Sequence, residues 1–170
     1  YDLLKNFKDL NTGREFGNVE TWPPNWILGI DSLSGLNDAA WANHRGDNLT
    51  AGMQNYQVVQ NTLKAFLKWF CRGLRCTGIM TAHTQRETNE VTGQSLIYPA
   101  APGAKLSPLV GRDFDEVFMC VKDGKDYYWS TAVRGFASKN RNLPTTEKIP
   151  INWGLIFDRF NSLYKESPGV

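Results

Sequence analysis

The chain lacks the signatures of several large functional classes. Its 170 residues contain no G-x-x-x-x-G-K-[ST], the glycine-rich loop whose backbone amides cradle nucleotide phosphates. They contain no G-x-S-x-G elbow and no evident Ser/His/Asp set. Histidine is scarce, with only His44 and His83, and neither has ligand-like neighbours in sequence, so a His/Cys metal cage is not indicated. The three cysteines, Cys71, Cys76 and Cys120, are odd in number and form no C-x-x-C. They read as small buried thiols in a reducing compartment, not as a disulfide framework. No apolar run reaches the roughly 20 residues of a membrane span, and no secretory signal is present. The expectation is therefore a soluble, cytoplasmic protein, for which the sequon Asn48-Leu49-Thr50 has no meaning. An excess of charge of one sign is missing too: 19 basic and 17 acidic side chains leave +2. Any grip on nucleic acid has to come from a local patch and not from the whole chain.

What is present suffices for a folded domain. Hydrophobic residues make up 41% of the chain, which excludes wholesale disorder, and the length fits one domain over 1–170. Residue 1 is Tyr and opens directly into a helical pattern, Leu3, Leu4, Phe7 and Leu10, so an amino-terminal portion is expected to be missing. That helix is predicted over 2–10, stopped by Asn11-Thr12-Gly13. Trp22-Pro23-Pro24-Asn25 leads into an apolar strand at 26–31 that ends on an acid, Asp31, followed by Ser32. Residues 34–54, rich in Gly, Asn and Asp, read as an irregular excursion. Tyr56, Val59, Leu63, Phe66, Leu67 and Phe70 then recur at helical spacing through 55–72, with Gly73 as the cap.

A second buried strand, 76–82, runs into His83-Thr84-Gln85-Arg86-Glu87. Strand, helix and strand make a βαβ unit with parallel strands, which brings Asp31 and His83 to one sheet edge. Open α/β sheets bind ligands at that carboxyl edge. Residues 84–112 show little periodicity and are expected to form a long mobile loop. Segments 115–122 and 125–132 flank Asp123-Gly124, a hairpin signal, and 152–165 closes the chain as a helix.

Four groups of residues could carry chemistry. Asp31 is a candidate magnesium-ordering carboxylate, since magnesium takes few protein ligands and keeps several waters. The competing use of Asp31 is as the N-cap of the next turn, with Ser32 and Ser34 sharing that role. His83 and Gln85 could hydrogen-bond a γ-phosphate or its attacking water. Residues 134–148 hold Arg134, Lys139, Arg141 and Lys148 against Glu147 alone, cations suited to phosphates on DNA or on a neighbour's nucleotide. Within 84–112, Arg86, Lys105 and Arg112 with Tyr98 are candidate DNA contacts, although Glu87, Glu90 and Asp113 offset their charge.

In order, WILGIDSLSGL, GIMTAHTQRE and the hairpin followed by FASKNRNLP resemble the RecA-type P-loop ATPase core downstream of its phosphate loop. The wording is closest to phage-encoded RecA-like ATPases that pair or anneal single strands. The resemblance covers about residues 26–145. It implies an α/β fold, a three-layer core with a mainly parallel sheet plus an antiparallel hairpin, incomplete at its amino end. It further implies binding and hydrolysis of ATP with Mg2+ at the interfaces of a ring or filament of identical subunits, coupled to single-stranded DNA, in a phage-infected bacterial host. Asp31 becomes the magnesium residue and Ser32 its neighbour, His83 or Gln85 the sensor, and Lys139 and Arg141 the cations acting in trans. Two parts of the family pattern are missing, the phosphate loop and the catalytic Glu, so this chain by itself is not expected to hydrolyse ATP. A non-catalytic assembly module of the same fold and a replicative-helicase-like motor are the alternative readings.

Overall fold

The computed structural model describes residues 2–45, 53–88, 90–103, 105–141 and 143–165. In chain order the elements are α1 (Asp2–Lys5), β1 (Phe7–Lys8), β2 (Glu15–Gly17), a 3-10 turn at Val19–Thr21, β3 (Ile27–Ile30), α2 (Leu33–Arg45) and α3 (Met53–Arg72). They continue with β4 (Thr77–Met80), β5 (Thr84–Thr88), β6 (Ser95–Pro99), α4 (Ser107–Val110), β7 (Glu116–Val117), β8 (Met119–Asp123), β9 (Asp126–Ser130), β10 (Lys139–Asn140) and α5 (Trp153–Lys165). Two compact units result, Tyr1–Gln85 with Pro99–Asp113, and Arg86–Tyr98 with Phe114–Val170. Among the described residues no helix is long and apolar enough to cross a membrane.

The three-layer core with a mainly parallel sheet is not what the chain forms. Among the described residues the strands pair off into five two-stranded sheets. Three of these, β1–β2, β7–β10 and β8–β9, are antiparallel, and β3–β4 is parallel. The reason lies in the connections. A parallel pair needs a crossover segment, and a wide parallel sheet needs one for each added strand. Among the described residues, the one parallel strand pair with such a crossover is β3–β4, joined through α2 and α3. Its later strands are two to five residues long, and β8 and β9 are joined by a tight turn that imposes antiparallel pairing.

In the first unit, β3 and β4 run in register from Ile27↔Thr77 to Ile30↔Met80. Because side chains alternate along a strand, the pair has two unlike faces. Leu28 lies on the covered face and is buried. On the same face Gly78 is overlaid by Phe70 of α3, whose ring atoms would sit 2.8 Å from a Cβ at that position. Val59, Leu63, Leu67 and Phe70 of α3 are all buried, as the spacing predicted. The opposite face is open: Ile27 is 48% exposed, and a Cβ at Gly29 would meet nothing within 4 Å.

Three local expectations change in this unit. Residues 2–10 do not make one helix; α1 stops at Lys5, and Leu3 and Leu10 are exposed. Phe7 instead joins an aromatic cluster, with ring centroids 5.9 Å from Phe16 and 5.6 Å from Trp22. That contact needs an extended backbone and a reversal at 9–13. Residues 33–45 form α2, not an irregular excursion, because Ser32 caps the helix and Trp41 packs edge-on to Tyr56 at 4.6 Å. The remainder of that stretch, 46–52, lies outside the described residues. Gly73 follows α3 but has no positive φ. It is required for closeness, since a Cβ there would come within 2.8 Å of the Trp69 ring.

In the second unit, Trp129, Leu143, Ile149 and Ile156 form a buried cluster with Phe118 packed against it. The hairpin β8–β9 is present, with its loop one residue later than expected. Asp123 pairs with Asp126, so the turn residues are Gly124 and Lys125, and Gly124 takes φ +62°. Segment 115–118 is not part of this hairpin; β7 pairs with β10 instead. The span 84–112, expected as a loop, carries β5, β6 and α4. Cys120 is exposed, against the expectation of buried thiols, while Cys71 is half-buried and Cys76 is buried, and none of the three is in a disulfide.

Candidate functional site

The carboxyl ends of β3 and β4 form a small polar shelf. Strand β3 is apolar up to Ile30, and Asp31 follows as the first polar side chain, exposed and on the same face as Ile27 and Gly29. The competing use of Asp31 as a helix cap is not realised. Ser32 is the cap: its carbonyl accepts from Leu36 N–H at 3.0 Å and its Oγ from Gly35 N–H at 3.3 Å. The Asp31 carboxylate is thereby left for another partner. Oδ1 accepts a hydrogen bond from the hydroxyl of Thr81, the residue one rung beyond the last β3–β4 pair.

Thr81 also ties the two strand ends together through its backbone. Its N–H donates to Ile30 carbonyl at 3.1 Å, and its carbonyl accepts from Leu33 N–H at 2.8 Å. His83 lies two residues on, exposed, with its N–H directed at Ser34 Oγ at 3.4 Å and its carbonyl accepting from Ala100 N–H at 2.7 Å. Asp31, Ser32, Ser34, Thr81 and His83 therefore share one edge, as the parallel reading of the two strands required. Gln85 is further along, in β5, and half-buried.

The donors at this edge are carboxylate and hydroxyl oxygens, with His83 exposed at the same edge. Hard oxygen donors suit magnesium, which asks for one or two carboxylates and completes its octahedron with water and phosphate oxygens. Among the described residues no group of three or more His, Cys, Asp or Glu is placed to hold an ion by itself. A metal at Asp31 would therefore draw its remaining ligands from water and a phosphate ligand.

No family model, no curated protein and no solved structure matches this chain. The functional reading therefore rests on the geometry of the chain itself.

The other predicted residues are dispersed. Lys139 and Arg141 belong to the second unit, at β10 and just after it. Arg141 already has acidic partners: its guanidinium donates to Asp115 Oδ1 at 2.8 Å, and its backbone N–H to Glu116 Oε1 at 3.2 Å. Both members of the Arg141–Asp115 pair are about 60% exposed (62% and 59%), a setting in which an ion pair contributes roughly 0–1 kcal/mol. The candidate DNA contacts fall in both units. Lys105 and Arg112 are exposed in the first, where Asp113 beside Arg112 is paired with Arg72 at 2.7 Å. Arg86, exposed in β5, and Tyr98, half-buried in β6, are in the second.

Thr81 is the residue that the sequence reading missed. A threonine closing an apolar strand is unremarkable by itself. Only the register of β3 against β4 shows that it stands opposite Asp31.

Proposed function

We propose that the Asp31 edge is the metal-ordering part of a nucleotide site, in an ATP- and magnesium-dependent ATPase acting on single-stranded DNA, of the phage recombination or annealing kind. The observation that supports this most is the release of Asp31 from capping duty at the carboxyl end of a parallel β-pair, beside His83. Asp31 would hold the magnesium, whose charge would offset the negative charge that develops on the nucleotide phosphates. For its part, the chain would hold the Asp31 carboxylate in place, and His83, exposed at the same edge, would be the group to hydrogen-bond a phosphate oxygen or a water. The loop that grips the phosphates is not in this sequence, so hydrolysis requires a part that these residues do not supply. Lys139 and Arg141 would serve a nucleotide on an adjacent copy in a ring or filament, with Arg141 exchanging Asp115 for phosphate. Arg86, Tyr98, Lys105 and Arg112 are the candidate contacts to the DNA strand.

The test is ATP hydrolysis by the protein as its gene encodes it, with and without single-stranded DNA. Asp31→Asn is expected to lower the DNA-stimulated rate about 100-fold or more. A rate that Asp31→Asn leaves unchanged overturns the proposal. A second reading, a non-catalytic module used in assembly, is favoured by the missing phosphate loop and the occupied Arg141. It predicts that Asp31→Ala alters neither activity nor assembly.

A further inference from the structure

We infer that Thr81 is a positioning residue for Asp31, fixing which carboxylate oxygen is offered to a divalent cation; this rests on the metal-ordering reading of Asp31. Three hydrogen bonds join Thr81 to the 30–33 segment. Its N–H is held by Ile30, its carbonyl by Leu33, and its hydroxyl is given to Asp31 Oδ1. The first two bonds bracket Asp31 and Ser32 on either side, so the Thr81 backbone cannot drift relative to the acid. The third occupies Oδ1 and leaves Oδ2 without a hydrogen bond to any described residue. The neighbouring hydroxyls of Ser32 and Ser34 accept from Gly35 N–H and His83 N–H, and it is the Thr81 hydroxyl that donates to Asp31.

The restriction is also conformational. A β-branched residue in extended backbone is stiff at χ1, so the hydroxyl is delivered in one direction. An Asp side chain at an exposed strand end would otherwise sample several rotamers, and a cation would have to select among them. Residues that orient a metal-binding carboxylate in this way typically change metal affinity 10- to 100-fold when lost. Thr81 is exposed, so removing its hydroxyl disturbs no buried contact.

Manganese(II), a paramagnetic stand-in for magnesium, is the probe, titrated into the 15N-labelled 170-residue chain while amide line broadening is followed. In the wild-type chain broadening is expected to centre on Asp31, Ser32, Leu33, Thr81 and Ala82. Thr81→Val, which keeps the β-branch and removes the hydroxyl, should weaken the apparent affinity about tenfold or more. Thr81→Ser, which restores the hydroxyl, should recover most of that loss, and Asp31→Asn should abolish the effect. If Asp31→Asn binds as wild type does, or the wild type shows no broadening at this edge, the metal-ordering reading fails and this inference with it. If Asp31→Asn abolishes binding but Thr81→Val does not weaken it, only the positioning role is overturned. Equal losses in Thr81→Val and Thr81→Ser overturn it too, because the hydroxyl is then not what matters. Unchanged amide dispersion outside the two strand ends confirms that the variants remain folded.

Discussion

Ser32 and Asp31 divide two tasks that a sequence reading assigns to either. The cap falls to Ser32, so Ser32→Ala should destabilise α2 by about 0.5–2 kcal/mol, measured by urea denaturation followed by far-ultraviolet circular dichroism. Asp9 illustrates the same economy in the turn between β1 and β2. Its carboxylate accepts from the Thr12 hydroxyl and from Asn11 N–H, and these bonds hold its pKa below the ordinary carboxylate value. A lowered pKa in the folded state means that the unfolded chain binds the proton more readily. The contribution is thus complete above the ordinary Asp range and is lost as pH falls through the folded value. Asp9→Asn should remove that acid-dependent part of stability, which thermal melts across the acid range would show. Asp31 and His83 were legible because both mark the point where an apolar strand turns polar. Thr81 was not, since its partner is 50 residues away in sequence and becomes visible only through the strand register.

At the level of elements, the two glycines of the β3–β4 pair should behave oppositely. Gly78 lies under the Phe70 ring, so Gly78→Ala should cost about 1–3 kcal/mol through overpacking. Gly29 faces open space on the other side and has no positive φ, so Gly29→Ala should be neutral or slightly stabilising. Chemical denaturation of the two variants side by side decides it, and equal losses would contradict the two-faced description. The parallel pair, α3, the β8–β9 hairpin and α5 were legible from periodicity and turn residues. Helix α2 was not, because its Gly, Asn and Asp content argues against helix locally while the Ser32 cap and the Trp41–Tyr56 contact favour it. The β5–β6 pair escaped notice for a related reason. A run such as Thr-Gln-Arg-Glu-Thr has no apolar face, and only its pairing partner makes it a strand.

On the scale of the whole molecule, the reading failed at the number of parallel strands. Local patterns report that a strand exists; they do not report how many neighbours it acquires. The second unit has a buried cluster in which Trp129 is 4% exposed and lies 5.0 Å from Phe118 and 4.7 Å from Trp153, ring centre to ring centre. Trp129→Ala should cost about 3–5 kcal/mol, a large share of the 5–15 kcal/mol typical of a folded domain. Hydrogen exchange should show protection falling across β8, β9 and α5. The bond from Ala100 N–H to the His83 carbonyl, 2.7 Å long, has a consequence of another kind. It brings the two ends of the segment 84–99 together, and within that segment Ile97 is bonded in turn to Gly135 and Ala137. A change of length confined to the connection between β5 and β6 would leave both of these anchors in place, and with them the spacing of Asp31, Thr81 and His83.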